Sequence, residues 1–235
     1  MRIPLTWKAT KDVLDACSAI AIVIGVGLFA KSLHSQATVV ASARSQRTVR
    51  VPDKFISIQH AAIEGQSSAR VVMIAYSDFQ CPYCGRFARE ALPVIERDFV
   101  TPGKVAIAFK HYPLSIHPLA RGAALAASCA NEQGRFWEAH NTLFAHQEAI
   151  SPTAMMPYLK AAGIDIRILQ TCLGGDDFAQ IDADAAEARA LGISGTPTFL
   201  LGKRVSGAND VHVVKVLTGA LPVDRLEEAI RSIGS

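Results

Sequence analysis

The chain has 235 residues, half of them hydrophobic and 19% charged. That suits one packed domain, or a domain with an insertion, and excludes disorder along the whole length. Residues 1–50 carry seven Lys/Arg against two acids and residues 51–235 carry 17 against 19, so the folded part lacks the basic excess of a general nucleic-acid binder.

In chain order, Arg2, Lys8 and Lys11 come first, followed by an uncharged run of 15 residues from Ala16 to Ala30. A positive flank before an apolar segment reads as an export signal. Even extended back to Val13, past Asp15, the run is short for a spanning helix, which wants roughly 20 apolar residues. Ser35-Gln36-Ala37 offers small residues for signal cleavage. Residues 1–37 are therefore expected to be a cleaved signal peptide or, over 13–30, an inner-membrane anchor with a short linker. Residues 38–54 form a flexible spacer and 55–235 the folded domain. Both readings of the leader place the domain outside the cytoplasm, where thiols pair. Cys17 lies in the apolar run and reads as an inert small hydrophobe. The remaining cysteines are Cys81, Cys84, Cys129 and Cys172.

Arg70–Tyr76 is a β-branched apolar run that predicts a buried strand. It leads into SDFQCPYCGRF, where Pro82 stands at the first turn of a helix expected to run through Arg97 with a kink at Pro93. Lys104–Lys110 predicts a second strand, so the cysteine pair sits where a βαβ unit passes from strand to helix. Five helices follow: His117–Gln133, Arg135–Gln147, one capped by Ser151-Pro152 and running to Ala162, Asp165–Leu173, and Asp177–Leu191. Strand character returns at Pro197–Leu201, with a turn at Gly202-Lys203-Arg204, then a partner strand Val211–Leu217 and a terminal helix Pro222–Ile233. Strands on both sides of a helical block predict an α/β domain with an all-helical insertion at about 113–192.

A C-x-x-C pair can hold a metal, form a fixed staple or exchange electrons as a disulfide. A zinc knuckle wants a second such pair, and this sequence has none. A disulfide across two residues closes too small a loop to stabilise much. A helix N-terminus favours a thiolate through its unpaired N–H groups and dipole. Cys81 is expected there, exposed and attacking, with Cys84 one turn inside as the resolving thiol. Gly195-Thr196-Pro197 places an X–Pro bond at a strand start, where a cis bond would be a deliberate feature.

The strand with S-D-F-x-C-P-Y-C, the segment Gln133-Gly134-Arg135-Phe136-Trp137, and Gly195-Thr196-Pro197-Thr198-Phe199 together resemble the DsbA-like thiol–disulfide oxidoreductases. The resemblance spans roughly 55–235 and implies a thioredoxin fold interrupted by helices. It also implies a cis Pro197 against Cys81–Cys84, and a Thr196 backbone that pairs with an extended substrate. Phe79 and Tyr83 would line the adjoining apolar surface. No dissociable cofactor and no metal is implied. The implied partners are exported proteins and a membrane redox protein that recycles the cysteines; a monomer is expected. Tyr83 occupies the slot where the best-known oxidase of the family has histidine, so a weaker oxidant is expected. Oxidase is the first reading, reductase the second and isomerase the third. From another class, a metal-binding extracytoplasmic module is the rival.

Cys129 and Cys172 fall on different predicted helices and are expected to form a structural disulfide; two buried thiols or an electron relay are the alternatives. Asp78 either tunes the thiols or caps the turn. His111, His117 and His140 read as packing or helix-end residues ahead of catalytic bases, Trp137 as core, and Asp176–Glu187 as a solvated helix face ahead of an acidic docking surface.

Overall fold

The computed structural model describes residues 53–206 and 209–234. The expected signal or anchor segment, with Cys17, lies outside them. The strands are β1 (Lys54–Ser57), β2 (Ala62–Glu64), β3 (Val71–Ser77), β4 (Val105–His111), β5 (Thr198–Arg204) and β6 (Asp210–Thr218). They form one sheet in the order β1-β6-β5-β3-β4-β2, in which β3 and β4 run parallel and the other neighbours antiparallel. β1 begins at Lys54, within the stretch assigned to the spacer.

Central strand β3 is buried along its whole length, as its unbroken β-branched run requires. On one face Val71, Met73 and Ala75 pack against the helix that follows β3 and against α7 (Val223–Gly234), which supplies Leu226, Ala229, Ile230 and Ile233. On the other face Val72, Ile74 and Tyr76 meet Ala185 and Ala188 of α6 (Ala179–Ala190).

The helix after β3, α1, runs as consecutive segments Pro82–Arg86, Phe87–Ala91, Leu92–Ile95 and Glu96–Val100, the second and fourth wound as π turns. Pro93 has no N–H to donate, so the ladder around it must be re-spaced; Leu92 N–H reaches back to the Phe87 carbonyl. The proline expected to kink the helix thus stands directly after a widened turn.

The insertion comprises α2 (Ala120–Asn131), α3 (Phe136–Ala145), α4 (Met156–Ala161), α5 (Ile166–Leu173) and α6. Alanines of α2 allow close approach, and Phe136, Leu143, Phe144, Leu159 and Leu169 fill the interior. Each fully buried leucine contributes about 1.5–3 kcal/mol. α4 starts at Met156 rather than at Pro152; Ser151 Oγ instead accepts from Ala154 N–H in a preceding turn. Cys129 on α2 and Cys172 on α5 are joined by a disulfide, S–S 1.99 Å, across a sequence separation of 43.

Two further expectations are corrected. Gly202 is not a turn: β5 continues through it to Arg204, with a register shift between Leu201 and Gly202. A Cβ there would overlap the His212 carbonyl of β6, so glycine is what lets the strands approach. The Asp176–Glu187 stretch is not simply a solvated face either. Asp184 is 3% exposed, with its carboxylate accepting from His111 N–H (2.9 Å) and Gln180 Nε2 (2.8 Å). Glu187 pairs with the buried Lys110 at 2.5 Å and accepts from the Tyr76 hydroxyl. These acids turn inward because Lys110 of β4 has no other counter-charge there among the described residues. Burial raises the Asp184 carboxyl to about 6, against the pull of the His111 N–H and Lys110.

Candidate active site

β3 ends at Ser77, and the chain turns through Asp78-Phe79-Gln80 into Cys81, the N-cap of α1, with Pro82 next. Asp78 shapes this turn. Its Oδ1 accepts from the N–H groups of Gln80 (2.7 Å) and Cys81 (3.2 Å). Its Oδ2 accepts from Leu114 N–H (2.8 Å) and meets His117 Nδ1 at 2.7 Å. One buried carboxylate therefore caps the turn into Cys81 and ties down the loop after β4. Gln147, from the insertion, donates through Nε2 to the carbonyls of Phe79 (2.8 Å) and Cys81 (3.0 Å).

Antiparallel pairing of Tyr76 with Thr198 sets the start of β5 beside the end of β3. The Thr196–Pro197 bond is cis, and the thiol of Cys81 donates to the Thr196 carbonyl at 3.3 Å. That contact roofs Cys81, which is 3% exposed instead of standing free at the helix edge. Cys84 is fully buried. Tyr83, between them, is 57% exposed. Phe79 is not part of an apolar surface. It is 1% exposed, stacks on Phe109 and packs at a tilt on Phe144, because the turn at Asp78 aims it down between the sheet and α3.

The two thiols differ electrostatically. Cys81 is lowered to about 5, first by a hydrogen bond from the Cys84 thiol. The Thr196 side chain, as distinct from its carbonyl, and the N–H groups of Cys84 and Tyr83 act in the same direction, while desolvation opposes them. Cys84 is pushed well above an ordinary thiol, first by burial and then by its hydrogen bond to Cys81, with the Ser77 hydroxyl pulling the other way. A thiolate is the nucleophile in exchange chemistry, and of the two sulfurs Cys81 is held towards the thiolate and Cys84 towards the thiol.

A family model described as "Thioredoxin" matches residues 59–217. The chain belongs to the thioredoxin family. Solved structures of similar fold include Wolbachia pipientis α-DsbA1, with TM-score 0.65 and 20% identity, covering 75% of this chain and 92% of that one. BdbD from Bacillus subtilis in its oxidised form gives TM-score 0.63 at 24% identity, covering 79% and 97%. Pseudomonas aeruginosa DsbA2 gives 0.58 at 24%, covering 73% and 93%. The thioredoxin fold with a helical insertion is therefore DsbA-like. Among curated proteins, the Na(+)/H(+) antiporter NhaA 3 of Salinispora tropica is 36% identical over 158 residues, 65% of this chain but 23% of that protein. NhaA 1 of Salinispora arenicola is 33% identical over 168 residues, 70% of this chain and 25% of that protein. The chain spans about a quarter of the length of these antiporters.

Cys81, Pro82, Tyr83, Cys84, Thr196 and Pro197 thus lie together at one end of β3. Cys129 and Cys172 lie apart from it in the insertion. Sequence reasoning missed Ser77 and Gln147, which touch the site from β3 and from the turn after α3. Ser77 stood inside the quoted motif and could have been found there. Gln147 carried no signal, since its role depends on how the insertion folds back. Among the described residues, no group of three or more His, Cys, Asp or Glu could hold a metal ion, and no helix is long and apolar enough to cross a membrane.

Proposed function

We propose that this protein is an extracytoplasmic thiol–disulfide oxidoreductase that introduces disulfides into exported proteins. The observation that carries the reading is the asymmetry of the pair: Cys81 lowered to about 5 at the start of α1, 3.3 Å from the Thr196 carbonyl, and Cys84 raised and buried behind it. In the oxidised enzyme a client thiolate attacks Cys81 Sγ. The Cys81–Cys84 bond breaks and Cys84 leaves as a thiolate that takes up a proton. A second client thiolate then attacks the client sulfur of the mixed disulfide, releasing Cys81 as a thiolate. The client has lost two electrons and the enzyme has gained them. A low Cys81 value makes it a good leaving group and favours this direction. The reaction needs no dissociable cofactor.

The cis Thr196–Pro197 loop offers the backbone edge against which an extended client segment would lie beside Cys81. Export rests on the basic flank and apolar run at the N-terminus. The reduced pair would be reoxidised by a membrane redox partner. Exposed Tyr83 supplies no cation to the thiolate, so the oxidising power is proposed to be moderate. Ion antiport is not carried over from the curated relatives, since the match covers a quarter of them.

The test is a Cys84→Ser variant expressed in cells and trapped with acid. It is expected to hold clients and the recycling partner as mixed disulfides on Cys81, and the unaltered oxidised protein is expected to oxidise a dithiol peptide. Tight stoichiometric zinc on the reduced protein, without thiol-oxidising or disulfide-reducing activity, would overturn the reading in favour of a metal-binding module.

A further inference from the structure

A cavity of about 10 Å³ lies beneath the C-x-x-C helix, between the sheet and α3, lined by Ala75, Ser77, Phe109, Trp137, His140 and Phe199 among others. It has room for roughly one water. Three of the lining residues, Ser77, Trp137 and His140, have polar side chains, and none is a carboxylate. Trp137 Nε1–H is buried and has no acceptor in the protein, an arrangement that a buried donor does not tolerate without loss of stability. His140 is 2% exposed. Its Nδ1 lies 2.8 Å from Asn141 Oδ1, which assigns the hydrogen to Nδ1 and leaves Nε2 as an acceptor. Burial lowers His140 to about 4, so the ring is neutral at neutral pH. The titratable groups facing it are His111 of β4, itself lowered to about 3 by burial and by His140, and Cys84 of α1 by way of Ser77. The Ser77 hydroxyl is hydrogen-bonded to the Cys84 sulfur.

We propose that a water bound in this cavity accepts from Trp137 Nε1–H and donates to His140 Nε2 and Ser77 Oγ, which turns the Ser77 hydroxyl into a donor to Cys84 Sγ. The water then makes three hydrogen bonds, the usual number for a buried one, and Trp137 is satisfied. A serine oxygen that accepts from this water has its own hydrogen free for the one polar neighbour left, the Cys84 sulfur. A thiolate gains from such a donor more than a thiol does. His140 is thereby a positioning residue: it does not touch the reacting sulfurs but sets the direction of the chain that ends on Cys84.

The inference rests on the exchange reading of Cys81–Cys84 and concerns the recycling half of it. There Cys81 thiolate attacks the disulfide of an oxidant, forming a mixed disulfide and releasing one oxidant thiolate. Cys84 then loses its proton to solvent and attacks Cys81 Sγ. The Cys81–Cys84 bond forms and the second oxidant sulfur leaves as a thiolate that becomes protonated. Only this second step needs charge on Cys84.

The experiment follows reduced, full-length protein reacting with oxidised glutathione, using acid quench and intact mass to separate formation of the adduct from its resolution. His140→Phe, which keeps the ring and drops the acceptor, is expected to slow resolution about tenfold or more, leave formation unchanged, and move the Cys84 titration upward. His140→Gln, which restores an acceptor, is expected to recover most of the rate. Ala75→Val, which fills the cavity from β3, is expected to reproduce the defect with His140 intact. In the unaltered protein the Trp137 indole N–H is expected to show a cross-relaxation signal to a long-lived water. A missing water signal, or resolution unchanged in folded His140→Phe and Ala75→Val, overturns the inference alone. Failure of the unaltered protein to form any adduct overturns the exchange reading itself.

Discussion

Two cysteine pairs occupy this chain, and they are built oppositely. Cys129 and Cys172 come from two helices of the insertion and close a separation of 43 residues. Cys81 and Cys84 sit three apart on one helix and are present as thiols. The first pair lies among alanines and leucines, with its sulfurs committed to each other. The second has a cap, a roof and a hydroxyl, each acting on one sulfur differently. The contrast teaches that spacing selects what a disulfide is for. A long loop makes it a constraint on the unfolded chain. A short loop makes it nearly neutral for stability and frees the local electrostatics to decide how readily it exchanges.

The largest expected effect separates the pairs directly. Replacing both Cys129 and Cys172 with Ala is expected to cost about 4 kcal/mol on the loop-entropy model, lowering the denaturation midpoint while peptide oxidation persists. Cys81→Ser is expected to abolish oxidation outright, and to change the midpoint of the reduced protein only by the thiolate stabilisation that Cys81 supplies. Equal loss of activity in both would erase the distinction.

A pH titration sharpens it next. Thiolate absorbance or alkylation of Cys81 is expected to be half-maximal near pH 5, well below the unfolded thiol at about 8.5. Because the folded value is the lower one, the stabilisation it gives the reduced protein is fully present above about pH 8.5 and is lost as pH falls towards 5. Cys84, raised in the fold, acts with the opposite sign and only above the ordinary thiol range. The Cys129–Cys172 disulfide has no such term. A reduced-minus-oxidised stability difference that stays flat from pH 5 to 8 would contradict the assigned asymmetry.

Asp78→Asn is expected to destabilise by about 1–3 kcal/mol, since an amide nitrogen would face buried donors that now reach a carboxylate. Exchange should slow with it, because the same side chain holds Gln80, Cys81 and the Leu114–His117 loop. Chemical denaturation and peptide oxidation measured together check this. The smallest effect belongs to Tyr83→His. At an exposed position, a histidinium is expected to lower Cys81 by only about half a unit and to shift the glutathione redox equilibrium slightly towards the reduced enzyme.

Much of this contrast was legible in the sequence. The β-branched run before Cys81, the proline after it and the Thr196-Pro197 pair are local signals with local physical causes, and the structure places them at one end of β3. The short edge strands β1 and β2 were not legible, because KFIS and AIE are too brief to show a period. The inward turn of Asp184 and Glu187 was hidden because a helix face of acids looks solvated until a buried cation, Lys110, is brought beside it. Phe79 misled for a related reason: a residue next to a reactive thiol can face either way, and one turn decides which.

Gly85 follows Cys84 on α1, and a side chain there would overlap Gln147. In the middle of a helix glycine is a poor choice, weaker than alanine by roughly 0.5–1 kcal/mol. Its bareness is what admits Gln147 to the carbonyls of Phe79 and Cys81. The insertion therefore reaches across the helix to grip the reactive turn by its backbone. A mutational library at position 85 would read out that grip, since any side chain there must push Gln147 off the two carbonyls.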